Sequence, residues 1–205
     1  MKGLFISVEG TDGAGKSTQI DLLLEHLKSK GIDVIYTREP GGTYISEKIR
    51  EIILDTDNEG MKDTCEALLY AASRAQHVRE KIVPALNEGK MVLCDRYVDS
   101  SIVYQGVGRG LGIDEVKAIN DFAIGGVMPD ITLFFDLTVE ESVKRKKNMG
   151  SLDRIEKESF DFHKKIYDGY IKLAESDPAR IKRIDASKPV EEVYAQVLKA
   201  LEGLI

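Results

Sequence analysis

A short apolar run that leads directly into a glycine-rich turn and then a helical pattern is the most restrictive feature of this sequence. Residues 4–8 read LFISV, and residues 9–18 read EGTDGAGKST. The residues that match the spacing G-x-x-x-x-G-K-[ST] are Gly10, Gly15, Lys16 and Ser17. In such a loop the backbone N–H groups point inward at a phosphate, and the following helix adds its unpaired N-terminal donors. The sequence therefore predicts a binding loop for a nucleoside triphosphate.

The loop predicts roles for its individual residues. We expect ATP to contact the whole segment of Gly10, Thr11, Asp12, Gly13, Ala14, Gly15, Lys16, Ser17 and Thr18. Lys16 supplies positive charge to the outer phosphates, and the Ser17 hydroxyl is placed for Mg²⁺. The alternative is a glycine-rich turn with an incidental lysine, which the agreement of motif and flanking pattern disfavours.

The rest of the chain alternates between strand-like and helical patterns. The strand candidates are residues 4–9, 33–37, 91–95, 131–136 and 180–185, and the helical patterns cover 15–30, 44–54, 64–87, 114–124, 139–148, 156–175 and 190–202. This alternation predicts one α/β domain over residues 1–205, a P-loop NTPase fold with a central parallel five-stranded sheet flanked by helices. The last strand, RIKRID, alternates more than the others and is expected at an edge, and Pro84 is expected to bend the end of its helix.

Composition excludes some classes of partner. The formal net charge of −6 argues against a broad surface for nucleic acid or for an anionic membrane, so we expect neither. No stretch approaches the roughly 20 apolar residues that cross a bilayer, and the first residues lack a signal-peptide pattern. Cys65 and Cys94 are expected to be buried small hydrophobes rather than a disulfide or a metal pair. We expect a reduced, cytoplasmic protein.

Several arginines distinguish this chain from a regulatory GTPase. The guanine-reading string N-K-x-D does not occur, and the third strand ends in Asp-Arg-Tyr at residues 95–97. An enzyme that holds two phosphorylated molecules needs several guanidinium groups, because these match phosphate oxygens in pairs. The arginines that suit a second, acceptor phosphate are Arg38, Arg50, Arg74 and Arg96.

Five segments together resemble the thymidylate kinase family, in its order and spacing and nearly from end to end. They are EGTDGAGKST (9–18), TREPGGT (37–43), LLYAASRAQHV (68–78), DRYVDSSIVYQG (95–106) and LDRIEKESFDFHKKIYDGY (152–170). The combination of TREPGG with DRY-x-x-S-x-x-x-YQG is specific to that family. The resemblance implies a dTMP kinase that uses ATP and Mg²⁺ and forms dTDP, with dTMP and ATP as its partners in a homodimer.

The resemblance also implies which residues hold the acceptor nucleotide. Asp12 is expected at the sugar 3′-hydroxyl or in the Mg²⁺ shell, although a solvated turn residue is the alternative. Arg38 is expected to clamp the acceptor phosphate, and Arg50 to bind phosphate or sugar or else to face solvent. Tyr70 and Arg74 lie four residues apart on one helix face, where the ring stacks on thymine and the guanidinium reads O4.

The segment after the third strand carries further roles that the resemblance implies. Asp95 is an anchor for Lys16 and for the waters of Mg²⁺, with Glu9 as a second, mostly water-mediated metal residue. Arg96 bridges the donor and acceptor phosphates and, with Lys16, Asp12 and Arg154, makes up the expected catalytic set. The remaining acceptor contacts are Tyr97 and Tyr104 near the sugar C2′, and Ser101 and Gln105 at the base edge.

A basic segment follows the fourth strand, and in the family this region is a lid over ATP. We place the lid at about residues 144–156. Arg154 is the first choice for the arginine that reaches the transferred phosphoryl group, and Lys147 is the alternative. Arg145 is expected on the adenine. Met149 stands where close relatives carry arginine, so the resemblance leaves the catalytic cation of the lid open.

Two alternative functions remain open from the sequence. One is a kinase for another deoxynucleotide such as dUMP, because Tyr70 and Val103 differ from the residues usual in the family. The other is an ATP-binding regulator without turnover, which the presence of Lys16, Ser17 and Arg96 disfavours.

Overall fold

The computed structural model describes residues 3–146 and 153–205. Within that part of the chain, five strands form a parallel sheet in the order β2-β3-β1-β4-β5. The strands are β1 (Phe5–Gly10), β2 (Val34–Arg38), β3 (Met91–Asp95), β4 (Ile131–Asp136) and β5 (Ile181–Asp185). The predicted fold class is confirmed, and β5 lies at an edge as its alternating pattern indicated.

The helices cover both faces of the sheet. They are α1 (Lys16–Ser29), α2 (Tyr44–Leu54), α3 (Asp63–His77), α4 (Val83–Asn87), α5 (Val98–Ser101), α6 (Ile113–Ile124), α7 (Val139–Lys146), α8 (Phe160–Ser176) and α9 (Val190–Ala200). On one face, α1 and α9 pack against the central strands through residues such as Leu23, Leu27 and Val197. On the other face, α4 and α8 each pack against a separate group of apolar side chains.

The long helical pattern at residues 64–87 is divided in the structure. A π-helical segment, Val78–Ile82, separates α3 from α4, and Pro84 falls in the first turn of α4. A proline is tolerated there because the first N–H groups of a helix have no partner inside it. Pro84 therefore begins a helix instead of bending the last turn of a longer one.

A buried helical segment follows β3, where the spacing of Ser101, Tyr104 and Gln105 is compatible with a single helical turn. Residues Val98–Ser101 form α5, and a π-helical segment continues through Ile102–Gly108. Because residues 97–106 are all buried, this segment shows no alternation of apolar and polar faces. Hydrophobic periodicity, the signal used for the other helices, is therefore absent from it.

The two cysteines differ in their exposure to solvent. Cys94 is buried in β3, but Cys65 is exposed on α3, so the expectation that both cysteines are buried was wrong for Cys65. Its place on the outer face of a partly polar helix turns the thiol to solvent.

Among the described residues, no helix combines the length and the apolar character that crossing a membrane requires.

Candidate active site

The glycine-rich loop joins β1 to α1 at the carboxyl edge of the sheet. Gly10 has a φ of 135°, and a Cβ atom there would lie 2.6 Å from the carbonyl oxygen of Phe135. Gly15 adopts a left-handed conformation directly before α1, and apart from its two chain neighbours no described residue has an atom within 4 Å of the position its Cβ would take. The open face above Gly15, with the first N–H groups of α1, is therefore available to a phosphate group.

Lys16 lies in the first turn of α1 and is nearly buried. Its Nζ donates hydrogen bonds of 3.0 Å each to the carbonyl oxygens of Gly10 and Thr11, and lies 3.9 Å from Asp12 Oδ1. Burial first, and then the positive charge of Arg96, lower the pKa of Lys16 to about 8. An incoming triphosphate would replace these carbonyl oxygens with charged ones and favour the protonated amine.

Ser17 and Asp95 meet the requirements of a hydrated magnesium ion. Ser17 is exposed on the first turn of α1, and Asp95 ends β3 beside it on the wall of the same cleft. Asp95 Oδ1 is buried and has no hydrogen-bond partner among the residues that the structure describes. Because a buried carboxylate oxygen needs a donor or a cation, this atom fits a water of the Mg²⁺ shell.

Glu9 has a different set of contacts from Asp95. Its Oε1 accepts hydrogen bonds from the backbone N–H groups of Tyr97 (2.7 Å) and Ser100 (3.3 Å), and its Oε2 accepts from Ser100 Oγ (2.6 Å) and the Tyr170 hydroxyl (2.7 Å). Burial, followed by the nearby charge of Asp99, raises the pKa of Glu9 to about 7. Both oxygens hold the start of α5, and the metal role expected of Glu9 stays a prediction without support in these contacts.

Two spaces meet at the carboxyl edge of the sheet. The first, the loop cleft, is lined by the glycine-rich loop from Asp12 to Thr18, together with Arg38, Glu39, Arg50, Asp95, Arg96, Arg145 and Glu156. The second, the inner cavity, is lined by Asp12, Glu39, Pro40, Arg50, Leu54, Tyr70, Arg74, Arg96, Ser100, Tyr104, Gln105, Asp153 and Ile155. Four residues, Asp12, Glu39, Arg50 and Arg96, belong to both walls, so the two spaces adjoin at a boundary that carries two guanidinium groups.

Arg96 is the central residue of this boundary. It has a φ of 65°, and it is the one non-glycine residue with a positive φ in the described part of the chain. Its Nη2 donates to Asp12 Oδ1 at 2.5 Å, and its guanidinium carbon lies 5.4 Å from the centre of the Tyr104 ring. Strained backbone conformations of this kind are concentrated at functional sites. The strain aims the side chain back between the two spaces.

Arg74 lies on the wall of the inner cavity and is almost fully buried. Its Nε donates to Glu39 Oε2 at 2.6 Å, its Nη1 to Ser101 Oγ at 2.8 Å and to Asn120 Oδ1, and its Nη2 to the carbonyl oxygen of Tyr97 at 3.1 Å. A guanidinium has five N–H groups, and these contacts use four. Within the described residues, one N–H of Arg74 is left for a ligand.

The other side chains expected at the base and sugar are divided between cavity and core. Tyr70, Tyr104 and Gln105 lie on the wall of the inner cavity, as expected. Tyr97 does not: its ring is fully buried 5.0 Å from the Phe5 ring, and its hydroxyl donates to the carbonyl oxygen of Val127. The expected contact of the Tyr97 side chain with the sugar was therefore wrong, because the ring fills the core.

Ser101 is also absent from the cavity wall. It is 2% exposed, and its hydroxyl accepts the hydrogen bond from Arg74 Nη1. The base-edge contact expected of Ser101 is thus replaced by a contact that orients Arg74.

Arg38 and Arg50 hold partners at the mouth of the site. Arg38 lines the loop cleft and pairs with Glu47 at 2.9 Å, while Arg50 lines both spaces and donates to the carbonyl oxygen of Pro40 at 2.8 Å. Burial first, and then the charge of Arg38, lower the pKa of Arg50. Two cations this close indicate a place for an anion.

The expected lid arginine lies away from both spaces. Arg154 is 7% exposed, and it donates from Nε to the carbonyl oxygen of Ile53 at 2.8 Å and from Nη2 to Glu66 Oε2 at 2.7 Å. A buried ion pair holds the Arg154 guanidinium, and the catalytic role expected of Arg154 stays a prediction without support in these contacts. Arg145 lines the loop cleft, as expected of a residue near the adenine, whereas Lys147 and Met149 lie outside the described residues.

Sequence reasoning missed the buried acidic residues that hold the site together. Glu39 accepts from Arg74 and from His77 Nδ1 at 2.8 Å, and Glu66 accepts from Gln105, Arg109 and Arg154. A signal for Glu66 existed, because it precedes Tyr70 by four residues and Arg74 by eight on one face of α3. Asp153 also lies on the cavity wall, and no sequence signal pointed to it beyond its place in the string LDRIE.

Comparisons of the sequence and the fold with known proteins point to one family. The family model for thymidylate kinase matches residues 8–197. The thymidylate kinase of Finegoldia magna is 54% identical over 199 residues, which cover 97% of this chain and 98% of that protein. That of Clostridium novyi is 52% identical over 198 residues, covering 96% and 97%. A crystal structure of thymidylate kinase from Ehrlichia chaffeensis has a TM-score of 0.79 and 32% identity, covering 98% of this chain and 100% of that one.

Proposed function

This chain belongs to the thymidylate kinase family, and on that premise we propose that the loop cleft and the inner cavity hold its two substrates. The reaction transfers the γ-phosphoryl group of ATP to dTMP and gives ADP and dTDP, with Mg²⁺ as cofactor. ATP occupies the loop cleft and dTMP the inner cavity. The observation that carries this assignment is the shared wall, since Arg50 and Arg96 border both spaces.

The chemistry needs positioning and charge neutralisation rather than a covalent intermediate. The acceptor phosphate oxygen is already a nucleophile at neutral pH, so no general base is required. Lys16 leaves the carbonyl oxygens of Gly10 and Thr11 to contact the outer phosphates of ATP. Arg96 stands between the two substrates, where its guanidinium stabilises charge on the oxygens of the transferred group.

Ser17 and Asp95 are the residues that would hold Mg²⁺. When bound, the ion neutralises charge on the β- and γ-phosphates of the donor. The unpartnered Oδ1 of Asp95 and the exposed hydroxyl of Ser17 both lie on the loop cleft, on the side of the phosphates.

The walls of the inner cavity suit a thymine nucleotide. The Tyr70 ring stacks on the base, and the remaining N–H of Arg74 donates to O4. Tyr104 is packed edge-on against Phe162 and Tyr170, so its ring is rigid and blocks the space that a ribose 2′-hydroxyl needs. The acceptor phosphate lies between Arg50 and Arg96, and Arg38 joins it by exchanging Glu47 for phosphate oxygens.

Release of ADP tests this proposal directly. Purified protein is assayed with ATP and Mg²⁺ and with dTMP, dUMP, the ribose analogue of dTMP, or thymidine as acceptor. We expect turnover with dTMP, weaker turnover with dUMP, and little with the other two. Equal rates with the ribose analogue would contradict the role of Tyr104, and rates independent of any acceptor would contradict the two-substrate arrangement.

We also propose that the chain forms a homodimer through α2, α3 and α6. These three helices pack side by side and carry exposed apolar side chains, among them Phe122 (92% exposed), Leu68 (52%) and Ile45 (50%). A large exposed apolar surface on adjacent helices is typical of an interface. Sedimentation should give a dimer for the natural chain and a monomer for Phe122→Glu with Leu68→Glu; a monomer in both would refute the dimer.

A further inference from the structure

We propose that Glu66 makes the inner cavity select pyrimidines with an N3–H group, by holding the Gln105 amide with its oxygen toward the base. This inference rests on the proposed function, in which the base edge faces Arg74 and Gln105. Glu66 is 1% exposed and is not part of the cavity wall, whereas Gln105 is. Glu66 therefore acts through Gln105, as a positioning residue.

The contact between the two side chains fixes the direction of the amide. Gln105 Nε2 lies 2.9 Å from Glu66 Oε1. Because an ionised carboxylate can only accept hydrogen bonds, the NH₂ group of Gln105 must face it. The other orientation would place two oxygens against each other.

The surroundings of Glu66 keep its carboxylate ionised. Arg109 donates to it from Nε at 3.2 Å and from Nη2 at 3.0 Å, and Arg154 donates from Nη2 at 2.7 Å. Burial by itself raises the pKa of Glu66, but the hydrogen bonds from Arg109 and Gln105 outweigh it and hold the pKa below its ordinary value. The Glu66 carboxylate therefore stays ionised at neutral pH and keeps accepting the hydrogen bond from Gln105.

The second atom of the amide has no protein partner in the described part of the chain. Gln105 Oε1 is buried and accepts no hydrogen bond, and the side chain as a whole is 1% exposed. A buried amide oxygen without a donor is unfavourable, so a bound ligand with an N–H group at this position is favoured. This atom is the point of the cavity at which a base donor is required.

Arg74 and Gln105 together define a donor and an acceptor. Thymine and uracil present the opposite pair, an O4 acceptor and an N3–H donor. Cytosine presents an amino group at C4 and an unprotonated N3. Its amino group would therefore face the N–H of Arg74, and its N3 lone pair would face the oxygen of Gln105. The pair therefore excludes cytosine nucleotides without any steric clash, and it does not separate thymine from uracil.

Glu66→Gln tests the inference because it should reverse the amide of Gln105. Two guanidinium N–H groups meet Oε2 and one, Arg109 Nε, meets Oε1 at the longer distance of 3.2 Å. The new amide oxygen will therefore stay at the position of Oε2, and its NH₂ group will face Gln105. Gln105 must then turn its oxygen to that NH₂ group and its own NH₂ group to the cavity. We expect the ratio of kcat/KM for dTMP to that for dCMP to fall by at least about tenfold, the effect of one mismatched buried hydrogen bond.

Arg109→Met is the matched control, because it removes two donors from the same carboxylate and leaves the contact with Gln105. The ratio of kcat/KM for dTMP to that for dCMP should stay within about twofold of the value for the natural protein, even if the variant is less stable. If Glu66→Gln does not fold, the double variant Glu66→Gln with Arg109→Met, which removes one charge of each sign and keeps the Arg154 donor at the Oε2 position, is measured instead. The same fall in the ratio is expected.

Gln105→Met separates failure of this inference from failure of the proposed base contact. We expect it to lower the ratio as well, because the acceptor is lost. An unchanged ratio in Glu66→Gln beside a lowered ratio in Gln105→Met would overturn the role of Glu66 alone. Unchanged ratios in both would overturn the contact of Gln105 with the base, and the inference with it.

Discussion

The loop cleft and the inner cavity adjoin, but they are built in different ways. The part of the loop cleft proposed to bind phosphate comes from one short segment between Asp12 and Thr18, which includes the start of α1. The inner cavity is assembled from α2, α3, the segment after β3 and the residues around Asp153. Its polar side chains are held by buried carboxylates, Glu39 for Arg74 and Glu66 for Gln105.

This difference teaches how function and stability are coupled in each region. In the loop cleft, the Lys16 side chain can be removed without leaving a buried charged partner unpaired, because it contacts backbone carbonyl oxygens and one partly exposed carboxylate. In the inner cavity, Arg74 is one half of a buried ion pair with Glu39. Its removal leaves an uncompensated charge, which is costly in a low-dielectric interior.

Lys16→Met should give the largest loss of activity with the smallest loss of stability. We expect turnover to slow by about 10²–10³-fold, since the charge on the outer phosphates loses its neutralising cation. The free energy of unfolding should not fall, because burial already disfavours the charged amine. Steady-state ADP release and urea unfolding measure the two effects; a large loss of stability would contradict the view that the loop cleft is built from backbone groups.

Arg74→Met should lower both activity and stability. We expect KM for dTMP to rise by roughly 10-fold or more, and the free energy of unfolding to fall by about 3 kcal/mol, because the buried Glu39 loses its guanidinium partner and keeps the contact with His77. The double variant with Glu39→Gln should regain part of the stability but not the affinity for dTMP. Equal stability of Arg74→Met and the natural protein would remove the contrast between the two regions.

Arg154→Met decides whether this arginine acts in the reaction or in the structure. We expect a loss of about 2 kcal/mol in unfolding free energy, smaller than for Arg74 because Glu66 keeps Arg109, with turnover slowed by less than about tenfold. If turnover instead slowed by about a thousandfold at unchanged stability, Arg154 would be assigned to the transferred phosphoryl group.

The lowered pKa of Lys16 predicts a small proton uptake when ATP binds. At pH 8 about half of the Lys16 amines are neutral in the free protein, and the phosphates favour the charged form, so about half a proton should be taken up per ATP. The uptake should vanish below about pH 6.5, where the amine is already charged. Calorimetry in two buffers of different ionisation enthalpy measures it; an equal uptake by Lys16→Met would assign the proton to another group.

The features that could be predicted from the sequence are those that depend on residues close together in the chain. The glycine-rich loop, the five strands and the sheet edge could be predicted because each depends on neighbouring residues. The inner cavity could be predicted only in part: Tyr70, Arg74, Tyr104 and Gln105, which were expected to share one site, lie together on its wall. Tyr97 and Ser101 were expected there as well and lie elsewhere, which could not be predicted because residues 97–106 are buried on every side and their pattern does not reveal which side chains face the cavity.

Buried ion pairs between distant segments could not be predicted from the sequence. Glu66 and Arg154 are 88 residues apart, and neither their spacing nor their local pattern connects them. Arg154 was assigned to the transferred phosphoryl group because the sequence retains the string Asp-Arg-Ile-Glu of the family that it resembles, whereas a carboxylate on α3 holds it in the structure. Only the fold brings the two segments together.

The central claim is that two substrate sites adjoin at Arg50 and Arg96, and a single ligand that spans both tests it. Adenosine and thymidine joined at their 5′ positions by a chain of phosphates should compete with both ATP and dTMP, and should bind more tightly than either because two sites share one binding event. Inhibition patterns against each substrate give the result. Competition with both substrates is expected, and competition with only one of them would contradict the account.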